Sequence, residues 1–160
     1  ALLDAIHDLD LVTWLLGADL EIMAAQVVRL GDLDLDVEDT VAVLLRQPAG
    51  ALATLSYDYL SRRYRRGLEI VGTDATLRLD WSREIIEVEQ AGDTEVEPAI
   101  DSLAYAHERQ SGCFVSWIKG EGTPPVSLGE SLNALRLADQ VREVASSPAS
   151  ASLAGARGQR

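Results

Sequence analysis

The 160-residue sequence contains a single cysteine, Cys113, and no long run of apolar residues. One cysteine excludes an internal disulfide framework and suits a reducing compartment, so we expect a cytoplasmic protein. No stretch approaches the roughly 18 consecutive apolar residues from which a bilayer-spanning helix is predicted. The sequence therefore predicts no membrane partner.

Positive charge is also scarce. Fourteen Lys and Arg stand against 26 Asp and Glu, which gives a net charge of -12. A surface of this sign repels the phosphate backbone of nucleic acids over most of its area. We therefore exclude nucleic acid as a partner.

The sequence lacks several motifs that indicate a particular catalytic or nucleotide-binding chemistry. The sequence has no serine nucleophile elbow, no Walker loop and no dinucleotide-binding fingerprint, since the "GEG" at 120–122 lacks a preceding strand and a third glycine. His107 and Cys113 have no partners at metal-ligand spacing, so we interpret both as structural. The chain by itself is thus predicted to bind neither a metal nor a dinucleotide.

Alternating acids at Asp32, Asp34 and Asp36 resemble the start of a calcium loop. A calcium loop needs Gly at its sixth position and Glu at its twelfth, where this sequence has Val37 and Val43. We reject calcium and predict instead an edge strand over 33–37, whose charges oppose pairing with other sheets.

Regular structure is predicted from the spacing of apolar residues. Residues 2–17 are predicted to be a helix that ends at Gly17, and its two faces both carry apolar side chains that need cover. Short stretches rich in Val, Leu, Ile and Tyr from 21 to 90 predict strands joined by short turns, and therefore mainly antiparallel pairing. In "GALATLSYDYL", from residue 50 to 60, strict alternation predicts one apolar and one wetter face.

The remainder of the chain is predicted to be helical and then disordered. Helices are expected over 102–120 and 127–147, although Gly112 weakens the first of them. We predict one domain over residues 1–146 and a small, polar, disordered tail over residues 147–160.

Asp4 and His7 stand out near the start of the first predicted helix. Three residues apart, they would share a face, where the helix dipole disfavours a protonated His7 and stabilises an ionised Asp4. A neutral histidine oriented by a carboxylate is what general-base removal of a hydroxyl proton requires. The structural alternative is a histidine satisfied by a local carboxylate, or an Asp4 that only caps the helix.

The segment "RRYRR", residues 62–66, gathers four arginines in an acidic protein. Arginine suits phosphate and carboxylate groups, so a nucleotide-sugar, a phosphorylated cofactor or an acidic neighbouring subunit are candidate ligands. The favoured alternative is a solvated strand end whose arginines pair with the chain's own surplus acids.

The opening stretch "LLDAIHDLDLVTWLLG" and the later "ATLSYDYLSRRYRRGLEIVGTDATLRLDW" resemble the C-terminal domain of the glucose-fructose oxidoreductase / inositol dehydrogenase (Gfo/Idh/MocA) family. In that family the helix has the form L-D-x-x-H-(D/E)-x-D-x-x-x-W-L-x-G, which this sequence matches from Leu3 to Gly17. The resemblance implies an α+β fold with a mixed, largely antiparallel open sheet and helices on one face. Dihydrodipicolinate reductase and glyceraldehyde-3-phosphate dehydrogenase have similar C-terminal domains.

The resemblance also implies a function. It makes the chain the substrate-binding and catalytic half of an NAD(P)-dependent oxidoreductase for a sugar, nucleotide-sugar or polyol. NAD or NADP would be bound by a separate N-terminal Rossmann domain, so the chain alone should be inactive and hold no cofactor. His7 would be the catalytic acid/base and Asp4 would orient it or the substrate, with Tyr59 and Arg63 as substrate contacts.

The resemblance implies a partner, and one alternative function stays open. The open face of the sheet would pack against a second subunit in a homo-oligomer. The alternative function is a non-catalytic oligomerisation or ligand-binding module, in which Asp4 and His7 are structural remnants.

Overall fold

The computed structural model describes residues 1–99, 103–124 and 126–147. These residues form α1 (Ile6–Leu16), β1 (Glu21–Val28), β2 (Thr40–Arg46), β3 (Leu52–Asp58), β4 (Gly67–Val71), β5 (Thr76–Asp80), β6 (Ile85–Gln90), β7 (Asp93–Pro98), α2 (Leu103–Ile118) and α3 (Leu128–Ala145). All pairs of described strands are antiparallel, in two sheets ordered β1-β2-β3 and β4-β5-β6-β7. The predicted α+β class is confirmed.

The chain divides into two compact units. The first comprises Ala1–Leu60 and Val126–Arg160, and the second comprises Ser61–Pro125. The single domain over 1–146 stays a prediction, and the predicted tail lies outside the described residues from 148 onward.

In the first unit, α1 and α3 pack against one face of the three-stranded sheet. Alternate residues of β2 are buried, as the period of two requires, and Leu55 of β3 lies on the same face. The core consists chiefly of Leu9 and Val12 from α1, Val41, Val43 and Leu45 from β2, and Leu137 and Val141 from α3. Each such side chain contributes about 1.5–3 kcal/mol when fully buried.

The helix α3 is started by a capping box, which fixes where its buried face begins. The Ser127 Oγ accepts a hydrogen bond from the Glu130 N–H at 3.2 Å, and a Glu130 carboxylate oxygen accepts one from the Ser127 N–H at 2.7 Å. Two N–H groups that would lack a helical partner are thereby satisfied.

The first helix is shorter than predicted at its start. It begins at Ile6 rather than Leu2, because residues 2–5 form turns in which the Leu2 N–H donates to Glu38 Oε1 at 2.9 Å. Its predicted end at Gly17 is confirmed by a positive φ of 88°. Cover on both faces is not observed within the described residues, since Trp14 is 76% exposed.

The predicted edge strand over 33–37 is wrong: residues 29–39 form an irregular loop. Its backbone groups bond elsewhere, because the Arg29 guanidinium donates to the Leu33 carbonyl at 2.5 Å. The Leu30 and Gly31 N–H groups donate to the Asp39 carboxylate at 2.9 and 2.8 Å.

The second unit contains a four-stranded meander and α2. Its turns follow the predicted chemistry: the Gly72 N–H closes the β4–β5 turn on the Ala75 carbonyl at 2.9 Å, and Ala91 and Gly92 have positive φ between β6 and β7. The helix α2 continues through Gly112. Across the described ranges, none of the helices combines the length and hydropathy needed to cross a bilayer.

Asp39 offers a test of how the loop is held. Its carboxylate is buried and accepts hydrogen bonds from two backbone N–H groups and from the Thr40 hydroxyl at 2.9 Å. The Leu30 N–H bond is the largest cause that keeps the pKa of Asp39 below its usual value. The Asp39→Asn variant should lose roughly 5–10 °C in Tm at neutral pH, because an amide cannot accept from all three donors.

The difference in Tm between wild type and Asp39→Asn should depend on pH in a defined direction. A depressed pKa stabilises the fold above the unfolded-state value of about 3.9, and this stability is lost as pH falls through the lower folded-state pKa. Thermal melts by circular dichroism should show the gap closing only in that acid range. Asp34→Asn, which removes an exposed acid of the same loop, is the control; an equal loss there would contradict the assignment.

Candidate functional site

Asp4 lies in the turn that precedes α1, not on the helix. The backbone of this turn is fixed by the Leu2 bond to Glu38 and by the Ala5 N–H, which donates to the Ala1 carbonyl at 3.0 Å. The N-cap position of α1 is Ala5, with no side-chain cap. Asp4 therefore does not cap the helix, and its exposed carboxylate is available for other contacts.

Tyr59 follows β3 directly and reaches the same place. Its N–H donates to the Asp39 carbonyl at 2.9 Å, which fixes the backbone just beyond the end of the strand. Its phenolic O–H donates a hydrogen bond to Oδ2 of Asp4. The structure thus brings together two residues, 55 positions apart, that were both predicted to belong to the site.

Two neighbouring residues, Glu38 and Asp39, fix the backbone next to Asp4 and at Tyr59. Glu38 binds the Leu2 N–H next to Asp4, and Asp39 binds the N–H of Tyr59 through its carbonyl. The buried side chain of Asp39 in turn anchors the loop at Leu30 and Gly31. Support of this kind limits how far two side chains can drift apart, which is what a preorganised site requires.

The hydrogen bond alters the acidity of Tyr59. The bond to Asp4 is the main cause that raises the pKa of Tyr59 to about 12. Burial and the negative charge of Asp4 raise this pKa further. The phenol therefore stays protonated over the whole physiological range and acts as a donor. Its oxygen retains lone pairs that can accept a hydrogen bond from a ligand hydroxyl.

His7 occupies the first turn of α1 and is exposed. Within the part of the chain that the structure describes, neither a hydrogen bond nor an ion pair joins it to Asp4, whose partner is Tyr59. An exposed imidazole can exchange protons with a bound hydroxyl. The orientation of His7 by Asp4 stays a prediction.

Arg63 belongs to the second unit, in the segment between β3 and β4. The predicted pairing of this segment with the chain's own acids is not observed for Arg62, Arg63 and Arg65 within the described residues. Among the described residues, none of the three makes an ion pair or hydrogen bond. Their neighbouring acids are already bound to other donors, as shown for Glu69 by its 2.5 Å bond from Arg78.

The described residues offer no cofactor-binding unit of a familiar kind. All strand pairings in 1–99 are antiparallel, so the parallel βαβ unit that binds dinucleotides does not occur in this range. Over the described ranges, no group of three or more His, Cys, Asp and Glu is arranged to hold a metal.

Sequence reasoning missed Glu38 and Asp39. An acid directly before a strongly apolar strand, with a glycine eight residues upstream, is the local signal that was available. That signal does not reveal the partners Leu2 and Tyr59, because they lie far away in the sequence.

The raised pKa of Tyr59 can be measured. In an ultraviolet titration of the folded protein, one of the four tyrosines should ionise near pH 12. This step should vanish in Tyr59→Phe and move toward the ordinary value of about 10 in Asp4→Asn. Tyr64→Phe, which removes an exposed phenol, is the control. Ionisation of all four tyrosines together near pH 10, with circular dichroism still native, would refute the hydrogen bond.

Comparisons with known proteins agree with this architecture. Residues 1–78 match a family model described as the GFO/IDH/MocA C-terminal domain. No curated protein matches the chain. The matched segment contains α1, the loop before β2 and the first four strands, and therefore includes Asp4, His7, Tyr59 and Arg63.

Solved structures of oxidoreductases share the fold. UDP-N-acetylglucosamine 3-dehydrogenase GnnA from Acidithiobacillus ferrooxidans matches with a TM-score of 0.72 and 22% identity, over 87% of this chain and 44% of that one. The WlbA dehydrogenase from Bordetella pertussis, in complex with NADH and UDP-GlcNAcA, matches with a TM-score of 0.72 and 23% identity, over 89% of this chain and 44% of that one. An oxidoreductase from Agrobacterium radiobacter, in complex with NAD+, L-tartaric acid and magnesium, matches with a TM-score of 0.75 and 20% identity, over 88% of this chain and 45% of that one.

The chain spans less than half the length of these structures. At such identities the likeness to these structures concerns the fold alone. Together they confirm the resemblance predicted from the sequence: residues 1–78 match the GFO/IDH/MocA C-terminal domain, and the chain shares the fold of these oxidoreductase structures.

Proposed function

We propose that this chain is the substrate-binding and catalytic half of an NAD(P)-dependent oxidoreductase that acts on a sugar, nucleotide-sugar or polyol hydroxyl. The observation that carries the proposal is the Asp4–Tyr59 hydrogen bond, formed three residues before the exposed His7 at the start of the helix that bears the family motif. The nucleotide-sugar class draws on WlbA, whose structure contains UDP-GlcNAcA.

In this proposal His7 is the catalytic acid/base. It takes the proton of the substrate hydroxyl as the carbon is oxidised and returns it in the reverse direction. The free Oδ1 of Asp4 accepts a hydrogen bond from a substrate hydroxyl, since Oδ2 is occupied by Tyr59. Tyr59 and Arg63 are the further substrate contacts.

NAD or NADP supplies the hydride acceptor when it is bound. We assign its binding to an N-terminal Rossmann domain outside the present residues, because the relatives with NADH or NAD+ bound are more than twice as long. The exposed face of α1 that carries His7 and Trp14 is available for contact with such a domain.

We also propose a homo-oligomer in the cytoplasm. The face of the first sheet that α1 and α3 leave uncovered presents mainly small or apolar side chains, among them Ala42, Leu52 and Thr54, all exposed. An exposed face of this composition suits packing against a second copy. The molar mass of the intact protein by light scattering tests it, and a monomer would refute it.

A second candidate is a ligand-binding or association module without catalysis. It is favoured by the absence, within the described residues, of any hydrogen bond that orients His7. The gene sequence upstream of Ala1 distinguishes the two: a strand leading into G-x-G-x-x-G/A, with a later E-K-P, supports the enzyme.

The role of His7 is tested in the intact protein. His7→Ala should lower kcat by about 10²–10⁴-fold, with a smaller change in KM, because the proton acceptor is lost while substrate contacts remain. His107→Ala, which removes the other, exposed histidine on α2, is the matched control. Equal kcat for wild type and His7→Ala across the pH range would refute the role.

A further inference from the structure

A surface cavity in the second unit is lined by an unusual number of arginines. It has a volume of about 790 Å³, within the range of small-molecule sites. Five arginines line it, namely Arg63, Arg65, Arg66, Arg78 and Arg83, with only two carboxylates, Glu69 and Asp80. The local charge is therefore opposite in sign to that of the whole chain, whose net charge is -12.

Both carboxylates of the lining already accept hydrogen bonds from other protein groups. Glu69 accepts the Nε–H of Arg78 at 2.5 Å. Oδ1 of Asp80 accepts the backbone N–H groups of Ser82 and Arg83 at 2.8 and 3.1 Å. Both acids are thus committed to holding the walls of the cavity together.

Three of the arginines are fixed in place by their neighbours. Arg78 lies between Glu69 and Glu89, with a second bond of 3.1 Å to the latter. The guanidinium of Arg66 lies 4.8 Å from the ring centroid of Trp81, a cation–π contact. Arg83 is 3.7 Å from Glu87. These contacts give the cavity a positive wall of defined shape.

Arg63 and Arg65 differ from those three. In the described part of the chain neither makes a hydrogen bond or an ion pair, although acids outnumber bases by 26 to 14. Two guanidiniums without internal partners in a cavity can be neutralised by a ligand with about two negative charges. Phosphate monoesters and diphosphate diesters carry this charge, and their oxygens match the fork of donors that arginine presents.

We propose that this cavity binds the phosphoryl group of a small-molecule ligand, with Arg63 and Arg65 as its direct contacts. The inference rests on the proposed function only in assigning Arg63 to ligand binding. It goes beyond that function by giving the second unit a phosphoryl-binding site of its own.

The test is a calorimetric titration of the intact protein with inorganic pyrophosphate at low ionic strength. The Arg63→Gln/Arg65→Gln variant should bind at least about ten-fold more weakly than wild type, because two charge-assisted contacts are lost. The control is Arg136→Gln/Arg142→Gln, which removes two exposed arginines of α3 and the same net charge. Citrate, an anion without phosphorus, should bind more weakly than pyrophosphate.

Three results would overturn the inference: no binding of pyrophosphate, equal weakening in both double variants, or citrate binding as tightly as pyrophosphate. A fall in molar mass of only the Arg63/Arg65 variant, without a change in pyrophosphate affinity, would assign the cluster to an acidic second subunit and also overturn it. The titration needs no turnover, so its failure leaves the His7 test unaffected, and a failure of the His7 test leaves the titration unaffected.

Discussion

The buried carboxylate of Asp39 is the constraint on which the candidate site depends. An ionised carboxylate out of contact with water is costly unless donors surround it, and here two backbone N–H groups and the Thr40 hydroxyl do so. These bonds hold the loop of residues 29–39 against the start of β2. Because the carbonyl of Asp39 binds Tyr59 and its neighbour Glu38 binds Leu2, one anchored dipeptide positions both halves of the Asp4–Tyr59 pair.

In the first unit the apolar core and the polar groups of the candidate site are separate. The core of α1, α3 and the three-stranded sheet is apolar and carries no chemistry. The polar groups that could act on a substrate lie at its margin, on a turn and just beyond a strand, where backbone positions are set by the core and side chains meet solvent. The arginine-lined cavity in the second unit is built differently, since its walls are fixed by ion pairs and a cation–π contact rather than by apolar packing.

Sequence analysis predicted the elements whose signals are local. Alternation in "GALATLSYDYL" identified the buried face of β3, a left-handed Gly17 ended α1, and turn residues indicated antiparallel hairpins. It failed over residues 33–37, where equally clear alternation belongs to a loop. The loop that contains these residues is held by the Leu30 and Gly31 N–H groups, which donate to Asp39, an interaction that a period of two does not reveal. The early start predicted for α1 has the same cause, because Glu38, distant in sequence, captures the Leu2 N–H.

The family motif predicted Asp4 and His7 as site residues, but it did not predict the hydrogen bond between Asp4 and Tyr59. Asp4 was expected to face His7 along a helix, whereas its observed partner is Tyr59. The most direct test is a crystal structure of the intact protein with NAD(P) and substrate bound. The account predicts a ring nitrogen of His7 within hydrogen-bond reach, about 2.6–3.2 Å, of the substrate hydroxyl to be oxidised. A substrate bound away from Asp4 and Tyr59, with the His7 ring directed elsewhere, would contradict it.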